Sequence, residues 1–157
     1  MLGGLARWLR VAGYSAEFDV HAADGALVRR ALDEELCLLT SDSGIMERYA
    51  VAQGLVRCVF VPRDAAPTEQ LAYVMAALGL RLREPRCMVC NGMLAPMAAQ
   101  DARERVPPKV RDRQTRYFRC RGCGKLYWHG THWESIQRRL GQARDRAAAM
   151  ATGLDAE

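Results

Sequence analysis

Cys87-Met-Val-Cys90 and Cys120-Arg-Gly-Cys123 are two CxxC pairs with 29 residues between them. Thiolates two residues apart can take adjacent corners of a tetrahedron, because the intervening turn points both sulfurs inward. Two such pairs make a closed set of four thiolates with no open position, the pattern of a structural zinc ion rather than a catalytic one. The second pair runs on into Gly124-Lys125, and glycine lets a backbone turn tightly around a metal. Buried free cysteines or two disulfides are the plainer alternatives, and the doubled spacing is what favours zinc over them. Cys37 in ELCLLT and Cys58 in VRCVFV lie in apolar runs and are read as small core residues.

Four carboxylates are candidates for hard oxygen donors: Asp19, Asp24, Asp42 and Asp64. Asp42 follows the apolar run LCLLT directly, and ligands gather at the carboxyl ends of strands in open α/β sheets. A carboxylate there can hold Mg2+ or cap the following helix. Asp24 carries the same two readings, with the cap favoured. Asp19 and Asp64 read as a strand-end residue and a turn residue. His129 and His132 sit in LYWHGTHW, but four cysteines already complete a metal site, so packing or phosphate contact is expected of them. Tyr127, Trp128 and Trp133 could stack on bases or form the small core such a module needs. No P-loop, GxGxxG, GxSxG or HExxH is present.

The elements that must position these groups follow from periodicity. Leu2, Leu5, Ala6 and Leu9 predict an amphipathic helix, with Arg7 and Arg10 outward and Gly13 as its stop. Residues 14–20 are strand-like. Asp24 stands as an N-cap before a helix reaching about Glu35. Residues 36–40 form a continuous apolar run, expected to be a strand buried on both faces of a parallel sheet. A short helix over 43–53, a second buried strand over 56–61 and a helix over 68–78, capped by Thr68 and stopped by Gly79, complete an α/β unit. Residues 83–85 are a linker, Thr131 opens a closing helix, and the tail beyond about Arg146 is expected to fray.

Charge divides the chain. Residues 1–84 carry 9 Lys+Arg against 11 Asp+Glu, and residues 85–157 carry 14 against 7. The basic half is the cysteine half, densest between Arg103 and Arg121, as expected of a surface that meets a phosphate backbone. No apolar run is long enough to span a membrane, and the arginine-bearing start is unlike a signal peptide. The expected setting is cytoplasmic, where thiolates stay reduced.

Together, MLGGLARWLRVAGYSAEFDV, LLTSDSG, Gln70-Leu71, CMVCNGMLAPM, RVPPKVRD and CRGCGKLYWHGTHW closely resemble the Mut-seven C-terminal RNase family over about residues 1–135. The resemblance implies a PIN-like parallel sheet flanked by helices over residues 1–84, a small zinc ribbon over 85–135, and a C-terminal helix and frayed tail over 136–157. It implies an RNase dependent on Mg2+ or Mn2+, RNA as partner, a structural zinc on Cys87, Cys90, Cys120 and Cys123, and catalytic roles for Asp42 and Asp24. One departure matters. The family pattern places a strand ending in aspartate before the MLG-LARWLR helix, whereas this sequence starts at that methionine. Two explanations stand open: a start codon further upstream, or a truncated, inactive paralogue. The rival function is a non-catalytic RNA-binding module with the ribbon as its working part.

Overall fold

The computed structural model describes residues 2–112 and 114–154. Helix α1 (Gly3–Val11) buries Leu5, Ala6, Leu9 and Val11, the face its periodicity predicts. Gly13 ends it at φ +98°, where a Cβ would lie 2.5 Å from Arg83 Cβ and 2.8 Å from Glu84 O. Only glycine lets the 83–84 stretch of chain pass that close.

Residues 14–20 form no strand. Their polar groups find other partners: Arg10 Nε donates to Ala16 O at 2.7 Å, and the Tyr14 hydroxyl donates to Arg81 O and accepts from Arg81 N. Helix α2 (Asp24–Asp33) starts on Ala23, so Asp24 is its first residue and not its cap. Strands β1 (Leu38–Thr40) and β2 (Cys58–Phe60) are parallel, with Leu38 opposite Cys58 and Thr40 opposite Phe60. The expectation of strands buried on both faces fails, because the sheet has only these two members among the described residues. Leu38 and Leu39 are half-buried and Phe60 is exposed. Cys37 is exposed, so it is not the core residue expected, whereas Cys58 is half-buried and packs against the core of Val28, Ala31, Ile45, Val51 and Val56.

The helix expected over 43–53 is two short ones, α3 (Ser43–Met46) and α4 (Tyr49–Ala52), separated at Glu47–Arg48. Helix α5 (Pro67–Leu78) begins one residue before Thr68. Pro67 occupies the first helical position, where its missing N–H costs nothing. The Glu69 carboxylate accepts from Ala66 N–H at 3.2 Å, and Gly79 closes the helix in the left-handed region at φ +63°.

The cysteine-bearing segment forms an antiparallel sheet in the order β3 (Leu94–Met97), β4 (Tyr117–Cys120), β5 (Leu126–Trp128). Between β3 and β4 lie two short helices, α6 (Ala99–Arg103) and α7 (Pro108–Arg111). Its core is small: Ala102, Val106 and Tyr117.

Helix α8 (Thr131–Leu154) then returns to the α/β half. Ile136, Leu140, Ala143 and Ala147, spaced four, three and four apart, enter one core with Leu5, Leu9, Leu71, Val74 and Met75. The segment expected to fray beyond Arg146 is therefore helical to Leu154 and buries Ala147. Residues 155–157 lie outside the described residues. Among those described, no helix is long and apolar enough to cross a membrane.

Candidate metal centre

The four sulfurs of Cys87, Cys90, Cys120 and Cys123 lie within 4.8 Å of one another. Cys87 and Cys123 are 3.6 Å apart and Cys90 and Cys120 are 3.3 Å apart. A tetrahedron of thiolates about 2.3 Å from a zinc ion has edges of about 3.8 Å, so the cage is close to the size required. All six cysteines are free thiols.

The two CxxC turns are built on the same backbone plan. In the first, Cys87 N–H donates to Gly92 O at 2.8 Å and Asn91 N–H donates to Cys87 O at 2.9 Å. In the second, Cys120 N–H donates to Lys125 O at 2.9 Å and Gly124 N–H donates to Cys120 O at 3.0 Å. The residue after the second cysteine is left-handed both times, Asn91 at φ +67° and Gly124 at φ +74°. Glycine and asparagine are the residues that tolerate this conformation. The Cys120 sulfur accepts from Gly122 N–H at 3.3 Å and Cys123 N–H at 3.5 Å.

Asparagine at 91 does more than turn. Its Oδ1 accepts from Ala16 N–H and Arg86 Nε, and its Nδ2 donates to Ser15 Oγ at 2.8 Å. Arg10, expected outward, instead donates through one terminal nitrogen to Met88 O at 3.0 Å and Val89 O at 3.1 Å, the two carbonyls between the first pair of cysteines. Arg86 N–H returns a bond to Arg10 O at 2.8 Å. The first knuckle is thus fastened to α1 and to residues 15–16 by side chains from both halves.

Gly92 and Gly122 leave room for the sulfurs. A Cβ on Gly92 would stand 2.8 Å from Cys120 Sγ and 3.3 Å from Cys90 Sγ. Gly92→Ala is expected to weaken metal retention about tenfold or more, since overpacking a tight site costs roughly 1–3 kcal/mol. Competition with a chromogenic chelator reads this directly, and retention equal to the parent would mean that the knuckle has slack.

Tyr127, for which the sequence suggests stacking or core packing, touches the metal set instead. Its hydroxyl lies 3.0 Å from Cys87 Sγ. Burial pushes the Cys87 thiol up, but the Tyr127 hydroxyl and the backbone N–H groups of Cys90 and Val89 outweigh it and bring it down to about 6. Burial and the neighbouring Cys87 hold the Tyr127 hydroxyl well above its ordinary value. No sequence signal marks this pair, because it depends on the register of β5 against the first knuckle.

The histidines stay out of the metal set. His129 is stacked between Phe118 and Trp133, with ring centroids 5.2 Å and 5.3 Å away. His132 is exposed.

Asp42 does follow β1, and its Oδ1 accepts from Gly44 N–H at 2.8 Å as the N-cap of α3. Asp24 faces Arg48 at 3.7 Å. Asp19 closes a local turn by accepting from His21 N–H, and Asp64 is exposed. Among the described residues, the four cysteines are the one group of three or more ligand-type side chains close enough to share a cation. Asp42 and Asp24 are not gathered with a third donor.

A family model described as the Mut7-C RNAse domain matches residues 1–140. No curated protein matches, and no solved structure matches.

Proposed function

The chain belongs to the Mut7-C RNAse domain family, and from that premise we propose that it is a ribonuclease that hydrolyses phosphodiester bonds with the help of Mg2+ or Mn2+ and carries a structural zinc on its four cysteines. The observation that carries the reading is the extent of the family match, which spans the α/β half, both cysteine pairs and the first turns of α8. Zinc is the metal that four thiolates in a closed tetrahedral set suit best. In this reading α1–α5 with β1–β2 form a PIN-like unit, residues 85–135 form the zinc ribbon, and the protein works in the cytoplasm.

Asp42 and Asp24 are the carboxylates we assign to catalysis. Asp42 stands at the carboxyl end of β1, and its cap bond engages Oδ1, leaving Oδ2 for a ligand. Mg2+ or Mn2+ would supply charge stabilisation at the phosphoryl oxygens. The described residues do not by themselves close a ligand set for it, so a further donor is needed before these carboxylates could hold the ion.

Asp42→Asn tests the assignment cleanly. Asparagine caps a helix about as well as aspartate, so α3 should survive the change while the charge is lost. With that further donor supplied, cleavage of RNA in Mg2+ is expected to fall about a hundredfold or more, with the content of thiolate-bound metal unchanged. Cleavage at the parent rate would remove Asp42 from the mechanism.

The second reading is a non-catalytic RNA-binding module. It is favoured by the contrast between an assembled thiolate cage and unassembled carboxylates. It predicts RNA binding that weakens with salt and no cleavage by the parent protein in Mg2+ or Mn2+.

A further inference from the structure

We propose that the groove between the end of β3 and the second cysteine knuckle is a binding site for the phosphate backbone of an RNA strand, an assignment that rests on the ribonuclease reading and gives it a location. The groove has a volume of about 740 Å3 and is lined by the end of β3 with Ala98 and by the turn Arg121-Gly122-Cys123. Arg119 and Arg121, both exposed, supply its cationic wall. Arg119 lies along Gly124, its terminal nitrogen 3.5 Å from where a Cβ would stand, which sets the guanidinium against the knuckle.

Charge decides what the groove takes. Among the described residues, ion pairs join Arg30 to Glu17 and Glu34, Arg48 to Asp24, Arg144 to Asp145 and Arg146 to Glu69. None involves a cation of the ribbon. Part of that positive charge offsets the metal centre, since four thiolates around a divalent ion leave a formal charge of about −2. The offset is incomplete: residues 103–125 hold nine Lys+Arg against two Asp+Glu, which leaves a surplus of about five after the metal centre is counted.

Shape agrees with charge. The groove is open along the surface and would leave a small molecule largely wet, whereas small-ligand sites bury about 70–90% of what they hold. An extended polyanion has no such need. Asp101 also lines the groove, so the phosphates are expected along the Arg119–Arg121 wall rather than across the whole opening. Arginine suits this role because its planar fork meets two phosphate oxygens at once.

The test is anisotropy of a short labelled oligoribonucleotide, titrated without added Mg2+ or Mn2+ at several salt concentrations. The double variant Arg119→Glu/Arg121→Glu is expected to bind at least about tenfold more weakly. Its log–log salt slope should shrink by about 1.4, the release expected for two single-strand phosphate contacts. Arg119→Lys/Arg121→Lys keeps the charge and should keep most of the slope. Because charge reversal beside the knuckle can disturb the metal, Ala98→Glu serves as a second probe: Ala98 lines the groove and lies outside both cysteine turns. Parent-like binding by both Arg119→Glu/Arg121→Glu and Ala98→Glu would overturn the proposal. If the reversal variant loses its metal, Ala98→Glu decides alone. Cleavage by the parent is measured separately. Binding lost in the groove variants with no cleavage by the parent sinks the nuclease reading and leaves the groove. Cleavage with groove variants that bind normally does the reverse.

Discussion

Stripping the thiolate-bound metal with a chelator is expected to unfold the β3–β4–β5 sheet outright. Among its described residues that module buries only Ala102, Val106 and Tyr117 in its own core, besides the two inner cysteines Cys87 and Cys120. So small a core falls short of the entropy of ordering a chain of this length. In the proposed zinc reading metal binding supplies the difference, since structural zinc in small modules contributes roughly 10–16 kcal/mol of apparent binding free energy. Hydrogen exchange should then show the amides of Tyr117–Cys120 and Leu126–Trp128 exchanging as in an unfolded chain, while those of α5 and the middle of α8 keep their protection.

The loss should also cross into the α/β half at named places. Ala16 N–H is held by Asn91, and Arg86 N–H by Arg10 O. Both should lose protection with the metal, whereas Leu9 and Leu71, deep in the other core, should not. Arg10→Ala separates the two effects. It removes the guanidinium from the Met88 and Val89 carbonyls and should cost about 1.5–3 kcal/mol, the usual range for bonds from a charged donor. The sheet should still fold and hold its metal. Sheet amides that stay protected after complete metal removal would show that the cage is ornament to a self-sufficient fold.

What the sequence disclosed and what it hid divide along physical lines. The four-cysteine set was legible because its rule is local: each knuckle is closed by hydrogen bonds within six residues. The helix spanning Gly3–Val11 was legible because one face of it is apolar, and the Gly79 stop because a left-handed residue was needed. The two-faced burial expected of residues 36–40 fails because an apolar run reports tolerance of burial, not the presence of neighbours, and among the described residues β1 has only β2 beside it. Arg10 was placed outward by helical periodicity, yet it sits in the last turn of α1, where its reach carries it to the Met88 and Val89 carbonyls of a knuckle 78 and 79 residues away in sequence. Asp42 was placed correctly at the end of β1, and the cap and ligand readings could not be separated because one carboxylate can serve both. The groove of Arg119 and Arg121 was legible only as charge density, since pairing depends on which carboxylates the fold brings near.

The C-terminal helix carries the second large effect. Residues 136–154, read from sequence as helix and frayed tail, supply Ile136, Leu140, Ala143 and Ala147 to the core that α1 and α5 share. A two-stranded parallel sheet has little independent stability, so α1 and α5 depend on α8 as their third wall. Ending the chain after Ser135 is therefore expected to leave no cooperatively folded α/β half, seen as loss of a thermal transition and of near-ultraviolet dichroism. Point variants grade the same claim. Leu140 is 2% exposed, and Leu140→Ala should cost about 2–5 kcal/mol, a large part of the roughly 5–15 kcal/mol that holds a typical domain folded. Gln137→Ala, on the exposed face of the same helix, should be close to neutral. Gly141→Ala should move the other way, by up to about 1 kcal/mol, because a Cβ there meets nothing within 4 Å and glycine inside a helix costs backbone entropy. Helix propensity alone would leave Leu140→Ala and Gln137→Ala alike, since alanine improves both positions; only burial against α5 makes one costly and the other not. A chain ending at Ser135 that melts at the parent temperature would show that α8 is an appendage after all.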